Sequence, residues 1–290
     1  MDASELRYDD LVDRVEVLYY DRQYRAAADL VDAESDGLDA WAAELAHLKA
    51  CLLGVSGDAD GALQVLREAS AAGGWWRSTI LTEDDDLAGL QDRPEFQELV
   101  RVSETRVTDD PAPPVIDLPD QAAVGVVVAL HGAGQTASHA RRDWGGVLEH
   151  GYALVCVQSS RRMSPMYRTW PDRDQAAADI AAALTEAQAT AGLPVVAAGF
   201  SAGGRAAVDW ALTGRPVPVA GVLAMAPALR DLPAGAMPLS QATIWIGAED
   251  DLLATVEGSA DQLKGFTIER IPGLGHAFPA DFADRLAAVL

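Results

Sequence analysis

The chain predicts an α/β domain over residues 106–290, with a mostly parallel sheet covered by helices on both faces, preceded by a small all-helical domain over residues 1–105. Three observations predict this. Apolar residues recur at helical spacing from Asp10 to about Gly74. A charged, proline-rich stretch, Asp109-Asp110-Pro111-Ala112-Pro113-Pro114, then rules out a continuing helix and places the boundary between residues 101 and 115. From Ala122 onward, short apolar runs, the first rich in β-branched residues, alternate with helical segments, as strands buried on both faces do.

In the first domain, Leu11, Val15 and Leu18 start a helical stripe that residues 26–31 continue with high helix propensity. Trp41, Leu45, Leu48, Leu52 and Leu53 line a second stripe. Ala62, Val65, Leu66 and Ala69 line a third, which Gly73-Gly74 ends. Residues 43–74 resemble one tetratricopeptide-type helix pair, with Ala50 on the first helix facing Ala62 and Ala69 on the second; an unrelated helical bundle is the alternative. Trp75 and Trp76 read as packing residues rather than a ligand platform. Glu83-Asp84-Asp85-Asp86 opens a short helix through Leu90, and Pro94 opens another through Val100. Residues 101–107 offer an early strand.

In the second domain, strands are expected at residues 124–130, 152–157, 195–198, 217–225, 243–246 and 266–271, with helices near 142–150, 172–191 and 278–290. Right-handed crossovers then bring the chemistry-bearing strand ends to one edge.

Lys plus Arg total 22 against 44 Asp plus Glu, a net charge of -22, which argues against binding nucleic acid or an anionic membrane through the general surface. Residues 1–110 carry 26 acidic and 10 basic side chains, net -16, so the second domain is the less charged. Cys51 and Cys156 both lie in apolar segments and read as small buried hydrophobes, supporting neither a disulfide framework nor a cysteine metal site. His47, His139 and His150 show no metal-ligand spacing, and no cofactor or metal is expected. No apolar h-region follows the first residues, and no run approaches the ~20 apolar residues that span a bilayer. A cytoplasmic protein is expected.

The chemical signal centres on Gly199-Phe200-Ser201-Ala202-Gly203-Gly204, between an apolar strand and a helix. Small residues flank Ser201 where bulky ones would collide across a tight turn, and the Ala202 N–H at the helix start faces any negative charge forming there. Ser201 needs a base, and the base an orienting acceptor. His276, in a glycine-rich loop after the last strand, is the best base; Asp250, in Gly247-Ala248-Glu249-Asp250-Asp251, is the best acid.

This stretch resembles the nucleophile elbow of the α/β-hydrolase superfamily, and His131-Gly132-Ala133-Gly134 resembles that superfamily's oxyanion loop. The resemblance spans roughly residues 115–290 and includes the order Ser201, Asp250, His276. It implies an α/β-hydrolase fold, a serine esterase acting through an acyl-enzyme on a small-molecule ester, and an oxyanion hole formed by the N–H groups of Ala202 and Ala133. Gly134 and Gln135 are alternatives to Ala133, while Glu249, Asp251 and Asp231 are alternatives to Asp250. His131 is expected to brace the loop. Residues 226–242 are too short for a large lid, a compactness similar to the small carboxylesterase, phospholipase-like and dienelactone-hydrolase branches, although the last use cysteine where Ser201 stands.

Residues 158–172 form the expected specificity loop, in which Arg161, Arg162 and Arg168 either attract an anionic group or form a solvated cluster. Met163, Met166, Tyr167 and Trp170 offer an apolar wall. The helical domain either covers the active-site edge or binds a protein partner, and a non-catalytic hydrolase-fold scaffold is the alternative to an enzyme. Oligomeric state is left open.

Overall fold

The computed structural model describes residues 3–234 and 239–290. Two compact units divide the chain: Met1–Asp109 with Arg162–Tyr167, and Asp110–Arg161 with Arg168–Leu290.

The first unit is helical: α1 (Ala3–Tyr20), α2 (Tyr24–Glu34), α3 (Ala42–Val55), α4 (Ala59–Ala71), α5 (Ser78–Thr82), a 3-10 segment Asp85–Leu90, and α6 (Pro94–Glu104). One apolar cluster joins Leu11 and Val15 to Ala27, Val31, Trp41 and Leu45. A second gathers Ala50, Ala62, Leu66, Trp76, Leu87 and Phe96. Ala50 and Ala62 are both fully buried, so α3 and α4 meet where the side chains are smallest. Residues 101–104 continue α6 rather than forming a strand, because Phe96, Leu99 and Ser103 keep the helical period on its buried face.

Trp76 is fully buried at the centre of the second cluster, and its indole N–H donates to the Ala43 carbonyl at 3.0 Å. Its own backbone lies outside any ladder and is satisfied by one side chain: Ser103 Oγ accepts the Trp76 N–H at 2.5 Å and donates to the Trp76 carbonyl at 2.6 Å. Glu44 acts similarly on the hexapeptide 162–167. Its Oε1 accepts from the Ser164 hydroxyl at 2.7 Å and from the N–H groups of Met166 and Tyr167 at 2.6 and 3.3 Å. A buried carboxylate thus orders a backbone segment that has no regular structure.

In the second unit the described residues form a seven-stranded sheet in the order β1-β3-β2-β4-β5-β6-β7. The strands are β1 (Val115–Asp117), β2 (Gly125–Leu130), β3 (Tyr152–Val157), β4 (Val195–Phe200), β5 (Gly221–Met225), β6 (Gln241–Gly247) and β7 (Thr267–Ile271). β1 runs antiparallel to β3, and every other pairing is parallel. The early strand is therefore at 115–117, not 101–107. The sheet is covered by α7 (Ala137–Trp144), α8 (Arg173–Glu186), α9 (Ser201–Thr213), α10 (Leu253–Gly258) and α11 (Phe282–Val289). β5 begins at Gly221 instead of residue 217: Pro218 has no N–H to offer a ladder, and the Val217 carbonyl accepts the Trp210 indole N–H at 2.7 Å.

β2 pairs with both β3 and β4, so the winding direction reverses at β2, and the carboxyl ends of β2 and β4 flank the switch point where such sheets hold ligands. Within the stretch 226–242, expected to carry no lid, residues 235–238 lie outside the described residues. Among the described residues no helix is long and apolar enough to cross a membrane.

Replacing Ser103 by Ala strands two buried backbone groups of Trp76, and thermal or urea unfolding should show a loss of about 2–4 kcal/mol. A change within 0.5 kcal/mol, roughly the scatter of an inconsequential substitution, would contradict this role.

Candidate active site

β4 ends at Phe200 and α9 begins at Ser201, so the chain reverses with no loop. Ser201 takes a φ of +52°, a left-handed conformation costing a side-chain-bearing residue about 1–2 kcal/mol. Close backbone approach imposes it. A Cβ on Gly203 would lie 2.2 Å from the Leu130 carbonyl oxygen and 2.4 Å from that of His131; one on Gly199 would lie 2.3 Å from the Gly203 oxygen. The start of α9 thus sits directly on the end of β2. The Ser201 carbonyl accepts the Ala228 N–H at 3.1 Å, and the Ala202 N–H, in the first turn of α9, has no partner four residues back within the helix.

Asp250 and His276 follow the carboxyl ends of β6 and β7, on the edge that also carries Ser201 after β4 and Ala133 after β2. His276 Nδ1 lies 2.9 Å from Asp250 Oδ2. The carboxylate is buried and its Oδ1 accepts the Leu252 N–H at 2.8 Å. Because the carboxylate only accepts, Nδ1 carries the proton and Nε2 keeps its lone pair. The imidazole lies against the Phe200 ring, centroids 4.9 Å apart, beside Ser201 in the chain. A second close approach holds this loop: a Cβ on Gly247 would come within 2.1 Å of the Leu274 carbonyl oxygen. Glu249, Asp251 and Asp231 are all exposed, whereas Asp250 is buried and bonded to His276.

In the loop after β2, Gly132 N–H donates to Gln135 Oε1 at 2.9 Å, Gly134 N–H to the Arg168 carbonyl at 2.9 Å, and Gln135 N–H to the Gly132 carbonyl at 3.3 Å. The exposed Ala133 has no partner for its N–H among the described residues, so of the three amides considered it is the one left to face a ligand. His131 is the brace beneath. Its Nδ1 donates to the Gly132 carbonyl at 2.7 Å, its Nε2 accepts the Ser159 N–H at 3.2 Å, and its carbonyl accepts the Trp170 indole N–H at 2.8 Å. Burial pushes the imidazole down to about 3, so it stays neutral and takes no part in proton transfer near neutrality.

The expected specificity loop divides differently. Arg168 is buried, bonded to Asp110 and to the Ser159 carbonyl, and is a structural cation rather than a substrate anchor. Trp170 is buried under His131, whereas Met163, Met166 and Tyr167 go with the helical unit. A cleft of about 460 Å³ beside α8 and α9 is lined by Arg173, Arg205, Asp209 and Arg230 but not by Ser201, Asp250 or His276.

Cys156 is a buried hydrophobe in β3, as expected. Cys51 is not alone: His47, Cys51 and Asp84 bring donor atoms within 4.8 Å of one another. The sequence signal overlooked is the His-x-x-x-Cys spacing, which puts both side chains on one face of α3. Burial, with Asp84 nearby, pushes the Cys51 thiol well up, so it is no thiolate nucleophile.

Residues 7–110 match the family described as A/B hydrolase-like, N-terminal domain. The crystal structure of an uncharacterized protein from Bacillus cereus is similar over 97% of both chains, with 22% identity and a TM-score of 0.50, a likeness of fold. Esterase PE8 matches over 62% of this chain and 100% of its own, at 18% identity and a TM-score of 0.49. No curated protein matches the sequence significantly. The architecture is α/β-hydrolase-like at the superfamily level, preceded by an all-helical region.

The buried His131 carries a pH signature. Its folded pKa lies below the usual 6.5, so under pH 6.5 the unfolded chain takes up a proton that the folded chain refuses, and stability falls as pH drops toward 3. Between pH 7.5 and 5 this group alone should remove about 2 kcal/mol. Urea unfolding at both values should show that much less loss in His131→Asn; equal losses in both proteins would exclude the effect.

Proposed function

We propose that this protein is a serine hydrolase of carboxylic esters, with Ser201 as nucleophile, His276 as general base and acid, Asp250 as the orienting carboxylate, and the N–H groups of Ala202 and Ala133 as oxyanion donors. The observation that carries the reading is the 2.9 Å bond from His276 Nδ1 to a buried Asp250, on an imidazole packed beside the residue preceding Ser201.

In this mechanism Nε2 takes the Ser201 hydroxyl proton as Oγ attacks the ester carbonyl carbon, and the carbonyl electron pair moves onto oxygen facing the two amides. Collapse expels the alcohol, which takes the proton from His276, and leaves an acyl-Ser201 ester. His276 then deprotonates a water that attacks the same carbon, and a second collapse returns the acid and free Ser201. Asp250 holds the base in the tautomer this sequence needs and stabilises the transient imidazolium. Each step uses a group at the carboxyl edge of the sheet, and the strain at Ser201 keeps the nucleophile presented before substrate arrives.

A fluorophosphonate probe should add one label, located on Ser201 by peptide mass analysis, and short-chain p-nitrophenyl esters should turn over. Ser201→Ala should abolish labelling and lower kcat by a factor on the order of 10⁶; Asp250→Asn should lower it by about 10⁴ with Ser201 intact. Undiminished turnover in Ser201→Ala would overturn the assignment.

A further inference from the structure

In the helical unit, α3 carries His47 and Cys51 one turn apart on one face, and the chain following α5 delivers Asp84 to them. The donor atoms form a nearly regular triangle: His47 Nε2 lies 3.7 Å from Cys51 Sγ and 3.6 Å from Asp84 Oδ2, and Sγ lies 3.2 Å from Oδ2. Around tetrahedral Zn²⁺, with bonds of about 2.3 Å to sulfur and about 2.0–2.1 Å to nitrogen and oxygen, donor pairs stand roughly 3.3–3.6 Å apart. The triangle has about the size that such an ion requires, but Sγ also lies 3.9 Å from His47 Nδ1, so binding requires the imidazole to turn its Nε2 away from the Ile80 carbonyl and toward Sγ and Oδ2. The Ile80 carbonyl oxygen accepts from Nε2 at 3.1 Å in the metal-free chain.

The donor set selects the metal. One thiolate, one imidazole and one carboxylate suit Zn²⁺, whereas Mg²⁺ and Ca²⁺ favour all-oxygen shells. The surroundings favour a dication as well, since residues 1–110 have a net charge of -16. We propose that His47, Cys51 and Asp84 bind one Zn²⁺, with the Ile80 carbonyl or a water completing the tetrahedron, as a structural staple tying α3 to the 80–84 segment. The proton balance is simple. The Cys51 Sγ–H proton, directed at Asp84 without metal, leaves to solvent as the Zn–S bond forms; His47 changes tautomer from Nε2–H to Nδ1–H and frees the Ile80 carbonyl.

The test uses the full chain stripped of metal by chelation. Titration with Zn²⁺ against a chromophoric chelator should reach one ion per chain. Co²⁺ in its place should give a thiolate-to-cobalt charge-transfer band and the intense visible bands of a tetrahedral ion, a readout that requires no variant. In Cys51→Ser the charge-transfer band should vanish, and in His47→Gln/Cys51→Ser zinc affinity should fall by more than about 100-fold, the upper range for disturbing groups merely bonded to a ligand. Helix content by circular dichroism confirms that the variants are folded. A wild-type chain that takes up no stoichiometric Zn²⁺, a cobalt spectrum without thiolate character, or full zinc affinity in the folded double variant would overturn the proposal.

Discussion

The contact on which the candidate site depends is the backbone-to-backbone approach of the first turn of α9 to the end of β2. Gly203 lies so close to the Leu130 and His131 carbonyls that a methyl group there would penetrate both. That approach is available only because Gly199 and Gly203 lack Cβ atoms, and it forces the residue between them, Ser201, into a left-handed conformation. The strain is carried by the fully buried central strands, whose packing over-determines the turn.

Around this turn, polar groups are settled by neighbours that leave few choices. His131 uses both ring nitrogens and its carbonyl to bind the chain on three sides, and burial keeps it uncharged. Bonds within the loop engage the amides of residues 132 and 135, the Arg168 carbonyl takes that of residue 134, and the Ala133 amide is left without a partner among the described residues. Asp250 is likewise saturated, one oxygen on Leu252 and the other on His276, which fixes the imidazole without competition from exposed Glu249 or Asp251. The site is built by exclusion: groups with internal partners are withdrawn, and those without are presented.

The helical unit solves a different problem with the same economy. It is strongly acidic, has little β structure to absorb backbone polar groups, and relies on single side chains to satisfy irregular segments. Ser103 serves both backbone groups of Trp76, and Glu44 serves three donors in the 164–167 segment. His47, Cys51 and Asp84 meet in the same unit, where the proposed Zn²⁺ would take the part that a hydroxyl or a carboxylate plays elsewhere.

By itself the sequence determined whatever depends on local period and backbone sterics. The six parallel strands were legible because each is a short run of apolar or β-branched residues between turn signals, and the Ser201 turn because glycines at fixed offsets admit few conformations. The order of strands and loops was enough to nominate Asp250 and His276. It could not reveal which groups satisfy each other. That β1 is at Val115–Asp117, that Arg168 is spent on Asp110, that the Gly134 amide is spent on Arg168, and that Asp84 reaches His47 and Cys51 were decided only by tertiary structure. The physical reason is that hydrogen bonds and donor clusters join residues tens of positions apart. Their partners are fixed by which surfaces the packed core brings together, and no local pattern in the chain records that.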